Sequence, residues 1–273
     1  MFYGLIINGE EYPVARTWTE LTHDQKRHVL QAHLLNDPAQ CEAEVVCALF
    51  QPRQSEKLRD TMRAMSDEQL SELFLFAQPF LEKKLDTTQH FPGFALPSTK
   101  AENKCNIRWY VAPLSRLDKF GFSEFIAAYH YLTQALSGDE KAMWLFFAVL
   151  YRPERVGTTR LDKRERYDEE KTEKNAEFLK QHIAHDYVYA AMLFFLACME
   201  HWRNIYPDVF SAGGENPDPF VWLKVLRKAS PSVAEMEANG NVEASLMFFD
   251  LNERIQEAQE LQKQYDNSAT TTF

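Results

Sequence analysis

The chain is short of the residues that mark the commonest kinds of site. Its four cysteines, Cys41, Cys47, Cys105 and Cys198, include no C-x-x-C pair, so the usual zinc and redox spacings are missing. Cys47 and Cys198 lie inside apolar helical runs and read as buried thiols. With only nine glycines there is no Gly-rich phosphate loop: neither G-x-G-x-x-G nor the P-loop pattern occurs, and G-x-S-x-G and H-E-x-x-H are missing too. Positive charge is also scarce. Lys and Arg total 30 against 40 Asp and Glu, a net −10, which disfavours nucleic acid and anionic membrane as partners. Uncharged runs are short: Ala142–Tyr151 spans 10 residues and Tyr187–Met199 spans 13, whereas a bilayer needs ~20. Met1-Phe2-Tyr3 lacks a basic leader region, and a reducing cytosol is the expected setting.

What is present is helical periodicity and an excess of phenylalanine, 20 residues. The centre of the chain is Phe120–Pro153, two helices around Ser137-Gly138-Asp139. Phe122, Phe125, Tyr129, Leu132 and Leu136 recur at helical steps, with Ser123 or Asp118 as candidate N-cap. Gly138 suits the left-handed residue that closes a helix, and Asp139 caps the next one. That second helix is apolar all round and is therefore predicted to lie in the core, ending at Arg152-Pro153.

The fold expected is mainly α, of stacked helical hairpins, with a small N-terminal β-hairpin about Asn8-Gly9. Residues 1–16 form the hairpin, 17–206 a helical core, 207–265 C-terminal helices and 266–273 a frayed tail. Capping boxes at Thr22/Gln25 and Ser66/Gln69 open helices over 23–35 and from 67 toward 85, the latter disturbed at Pro79; Pro38 starts a helix to Phe50. Residues 86–118 read as irregular except for a strand, Ile107–Val111, pairing with the hairpin. A charged stretch with 6 basic and 7 acidic residues between Arg160 and Glu177 reads as a solvated loop passing into one long helix, 168–205. Gly213-Gly214 reads as a link, Asp218-Pro219 as a helix start, and a last helix spans 242–265 with Leu246, Phe249, Ile255 and Leu261 on its apolar side. At a shift of 101 residues, 21–52 falls on 122–153, each being helix, turn, apolar helix and stop at proline; this suggests a duplicated hairpin, followed in turn by Leu70–Leu85 and Tyr187–Met199.

Few residues offer chemistry. His23, His28 and His33 are five apart, and ~100° per residue spreads them round a helix, so they read as surface residues. His182, His185 and Asp186 are the metal-site candidates, with His130 as an interior partner, but no E-x-x-H accompanies them. Trp109, Tyr110, Trp202 and Trp222 are candidates for partner binding, since aromatics are enriched at interfaces.

The Asn-Gly hairpin, then Trp18-Thr19-Glu20-Leu21-Thr22 and Gln25, resembles the opening of bacteriophage tail-assembly and tail-adjacent proteins. FGFSEF, AVLYRP and the charged Asp162–Tyr167 are similar to helical phage proteins of the same gene clusters. The resemblance covers about Asn8–Ile205; the segment 86–118 and the C-terminal helices fall outside it. It implies a non-catalytic, chaperone-like assembly or structural protein without cofactor. Such a protein binds other phage proteins or itself, in the host cytoplasm or the virion. The alternatives are a metal-dependent helical-bundle enzyme around His130, His182, His185 and Asp186, and a generic helical adaptor.

Overall fold

The structure, a computed structural model, describes residues 3–7, 10–35, 37–49, 60, 62–63, 65–81, 87–97, 107–211, 220–230 and 232–270. It is mainly helical. Two compact units divide the chain along lines other than those drawn from sequence: residues 1–86 with 184–194, and residues 87–183 with 195–273.

In the first unit β1 (Tyr3–Ile7) pairs antiparallel with β2 (Glu10–Val14), Ile7 opposite Glu10; the Asn8-Gly9 turn lies outside the described residues. Helix α1 (His23–His33) opens on the expected capping box, Thr22 and Gln25 each bonding the other's backbone N–H. It packs on α2 (Pro38–Leu49), whose Val45–Leu49 stretch is buried. Gln25 ties the two together by donating to the Leu49 carbonyl at 2.7 Å. Helix α3 (Asp67–Leu81) carries the second capping box, Ser66 with Gln69, and keeps Pro79 within its last turn. Residues 184–194 complete this unit: buried Asp186 accepts from Arg27 at 2.9 Å and Gln31 at 3.2 Å.

The second unit begins with a sheet rather than irregular chain. Strand β3 (Gly93–Pro97) pairs antiparallel with β4 (Ile107–Val111), so β4 has the expected bounds but its partner is β3, not the N-terminal strands. Helices α4 (Phe122–Leu136) and α5 (Glu140–Leu150) follow. The residue at the α4 N-cap is Gly121, with no side-chain cap, instead of Ser123 or Asp118. Asp139 caps α5, accepting from the Ala142 N–H at 3.1 Å, and Gly138 turns with φ +98°. Trp144–Leu150 are all buried, as an all-apolar helix requires. Arg152-Pro153 does more than end α5: it forms β5 (Arg152–Pro153) beside β4.

The single helix expected over 168–205 is two. Helix α6 (Glu169–His182), capped by Asp168, stops at extended Ile183, and α7 (His185–Ile205) starts anew; Val188, Phe195 and Cys198 are buried along α7. The second unit continues through α8 (Pro207–Ser211), α9 (Val221–Ala229), α10 (Val233–Gly240) and α11 (Ala244–Thr270). Gly213-Gly214 and Asp218-Pro219 lie outside the described residues; α9 starts after Phe220. Helix α11 runs on through 266–270, where fraying was expected, and buries Ala244, Met247 and Phe248 while Leu246, Phe249 and Leu261 stay exposed. Its apolar face is thus offset from the one read off sequence, because Phe248 takes the place in the core.

At the 101-residue offset, α3 falls on 168–182, the span of α6, and not on the Tyr187–Met199 run. Among the described residues each unit shows a strand pair and then packed helices, α2 on α1 and α3 on α2 in the first, α5 on α4 and α6 on α5 in the second. The carbonyls of Leu49 and Leu150, equivalent at this offset, each accept a side-chain hydrogen bond, from Gln25 and Arg164.

Two aromatic clusters hold the second unit. Phe125 stands within 5.0–5.9 Å, ring centre to ring centre, of Phe248, Trp222, Trp202 and Phe195. Phe94 and Tyr110, directly opposite across β3 and β4, stack with Phe147, Tyr151 and Phe178. Such pairs add about 0.5–1.5 kcal/mol each beyond area burial.

Candidate functional site

Three features of the second unit bear on function: a buried charge cluster, a groove and a sheet face. The charge cluster lies in the stretch read from sequence as solvated. Arg164 is fully buried, donating to Asp162 at 2.7 Å, to Glu124 at 3.1 Å and to the Leu150 carbonyl at 3.3 Å, with its guanidinium 5.0 Å from the Phe120 ring centre. Arg152 joins Glu124 at 2.8 Å. Burial, reinforced by Arg164, brings the Arg152 guanidinium down to about 10. Burial works against the Asp162 carboxylate, yet its bonds to Arg164 hold it below its ordinary value. Two guanidiniums against two carboxylates make a neutral set. The cluster fastens the 154–168 segment to α4 and α5 and is structural.

The groove is a cavity of about 510 Å³. Helix α4 supplies Ser123, Ile126, Ala127, His130 and Tyr131; α9 and its cap supply Phe220, Leu223 and Leu226; α10 supplies Val233, Met236 and Glu237. Tyr167 and Glu169 close it at the head of α6. Its geometry is fixed by backbone: Phe122 N–H donates to the Val242 carbonyl and Ala244 N–H to the Phe120 carbonyl, both at 2.8 Å. Gly240 lets α10 approach α4, since a Cβ there would meet Ser123 Oγ. Burial raises the Tyr131 and Tyr167 phenols, with the Glu169 carboxylate adding to both, so they remain O–H donors at neutral pH. His130 lies 5.0 Å from the Phe220 ring centre. Ser123 and His130 are seven residues apart on one helix, ~10 Å along its axis, which leaves them beyond the reach of a nucleophile–base pair.

The sheet face is the third feature. Phe94, Leu96 and Tyr110 point to the core. The opposite face carries Ala95 across from Trp109 and Pro97 across from Ile107, with Trp109 and Ile107 each 54% exposed. No charged residue occupies this face of either strand.

The sequence candidates are redistributed. His182, on α6, donates through Nδ1 to the Phe178 carbonyl and lies against the Phe178 ring. His185 and Asp186 begin α7, so the break at Ile183-Ala184 removes the shared helix face on which the metal reading rested. Asp186 is committed to Arg27 and Gln31, and His130 belongs to the groove. Among the described residues no group of three or more His, Cys, Asp or Glu could hold a metal ion. His33 is buried, not superficial, bonding the Phe80 carbonyl at 2.6 Å, while His23 pairs with the Tyr187 hydroxyl. Of the four aromatic candidates only Trp109 faces solvent; Tyr110, Trp202 and Trp222 are core, because the aromatic clusters claim them. Helix α10, and with it the Val233, Met236 and Glu237 side of the groove, escaped the sequence reading, though Ser232 followed by Glu235 was a cap signal, and Ser232 Oγ does accept the Glu235 N–H.

Among the described residues no helix is long and apolar enough to cross a membrane. Comparison with protein-family models, with curated proteins and with solved structures gives no match.

Proposed function

We propose that the protein is a non-catalytic binding component that associates with other proteins. The supporting observation is the apolar outer face of β3 and β4, where Trp109 and Ile107 stand in water beside Ala95 and Pro97. Exposed apolar surface grouped in this way marks interaction sites. The resemblance to bacteriophage tail-assembly and tail-adjacent proteins supplies the setting: partners are virion or assembly proteins, or a second copy, met in the host cytoplasm or in the virion. Neither nucleic acid nor membrane is a partner in this reading, in keeping with the net −10 charge. The helices form stacked hairpins derived from one duplicated plan, a reading supported by the common 101-residue offset. The test is affinity purification of the full chain from the infected host, with mass spectrometry of what accompanies it. Tube, tape-measure or other particle proteins accompany the wild type and are lost with Trp109→Glu. Recovery of the chain alone as a monomer overturns the proposal.

A further inference from the structure

We propose that the groove between α4, α9 and α10 is a docking site for a basic amphipathic segment of a partner protein, a proposal that rests on the binding-component reading above. The lining is apolar and aromatic along Ile126, Ala127, Leu226, Met236, Tyr131 and Phe220. Among the described residues, the charged ones that line it are both carboxylates, Glu169 and Glu237, and no Lys or Arg does. An apolar channel bounded by negative charge alone selects apolar side chains flanked by Lys or Arg and rejects acidic ones. A volume of about 510 Å³ would also admit a small molecule. The apolar surface does not stop at the cavity, however. Leu223 and Val233 on its border are 39% and 84% exposed, which suits a chain segment lying along the groove better than a compact ligand. A second copy is a poorer occupant: the exposed apolar residues of α11, Leu246, Phe249 and Leu261, are accompanied by exposed Glu253, Glu257 and Glu260 against Arg254 and Lys263, and Arg254 is already paired with Asp250, so the face carries net negative charge toward Glu169 and Glu237.

The test is fluorescence anisotropy with a dye-labelled amphipathic Leu/Lys peptide of about 14 residues, roughly four helical turns. It is titrated with the full chain at about 0.15 M salt, where long-range attraction is screened. The same peptide with Glu for every Lys is the comparison. The Leu/Lys peptide binds at least about tenfold more tightly than the Leu/Glu peptide. Leu223→Asp weakens it by about tenfold or more, as does Val233→Asp, whose exposed site keeps the fold intact. Glu169→Gln with Glu237→Gln weakens it several-fold, while the equal charge change Glu257→Gln with Glu260→Gln on α11 leaves it unchanged. Equal binding of the two peptides overturns the proposal, as do equal losses in the two charge variants. So does unchanged affinity in both Asp variants. If the peptide fails while virion proteins are still captured through the Trp109 face, the groove is rejected and the assembly reading stands; if both fail, both are rejected.

Discussion

At the scale of single residues, Glu124 is the one on which most depends. It is the carboxylate shared by two buried guanidiniums. Glu124→Gln removes the carboxylate that Arg152 bonds, and breaking a buried pair of this kind costs about 3–5 kcal/mol. A shift of the urea midpoint by that amount is the expected outcome. The two arginines are not equivalent. Arg164 makes bonds to Asp162, Glu124 and the Leu150 carbonyl, whereas Arg152 has Glu124 alone and is opposed by Arg164. Arg164→Met is therefore expected to destabilise more than Arg152→Met, because Glu124 still keeps Arg164 as a partner when Arg152 is lost, whereas loss of Arg164 strips Asp162 and the Leu150 carbonyl of their donor as well. The cluster also sets an acid limit. Asp162 has a depressed folded-state pKa, so its stabilisation is complete above the unfolded value of about 3.9 and is lost as pH falls through the folded one. Stability of the wild type and of Asp162→Asn, measured by urea unfolding from pH 7 downward, converges over that acid range; a constant gap would refute the assignment.

At the scale of elements, helix starts were the most legible part of the sequence. The boxes at Thr22/Gln25 and Ser66/Gln69 and the cap at Asp139 are local chemistry, and each is made where the residues announce it. Thr22→Ala is expected to cost about 1 kcal/mol, read by thermal or urea unfolding. What depends on distant partners was not legible. The strand Ile107–Val111 was found by its composition, but its pairing with Gly93–Pro97 was not, because register is decided by Phe94 and Tyr110 meeting Phe147 and Tyr151 from another element. Gly93 shows how closely that pairing is drawn. A Cβ there would run into the Tyr110 carbonyl oxygen of the neighbouring strand. Gly93→Ala is expected to cost about 1–3 kcal/mol and to raise amide exchange along β4. Charge patterning misled in the same way. Between Arg160 and Glu177 the sequence looks uniformly solvated, yet Arg164 is buried, since only the fold brings Glu124 to it. Likewise the metal candidates failed as a set because a periodicity argument assumed one helix across Ile183-Ala184, where the backbone is extended.

At the scale of the whole molecule, each of the two units buries apolar side chains of its own, and function is expected at the surfaces left over: the sheet face with Trp109 and the groove with Leu223. Because both are exposed, Trp109→Ala is expected to alter unfolding by no more than about 0.5 kcal/mol while reducing partner recovery, a separation that a core role would not allow. The division of the first unit between residues 1–86 and 184–194 has a temporal consequence. A ribosome emits the chain from one end, at roughly 5–20 residues per second. Arg27 and Gln31 lie 159 and 155 residues before Asp186 and therefore wait for it for roughly 8–30 s of synthesis, during which the nascent amino-terminal helices lack their last partner. A released fragment ending at Asp86 should accordingly be more protease-sensitive than the same residues in the full chain, and the early life of this protein is one in which a chaperone has time to bind.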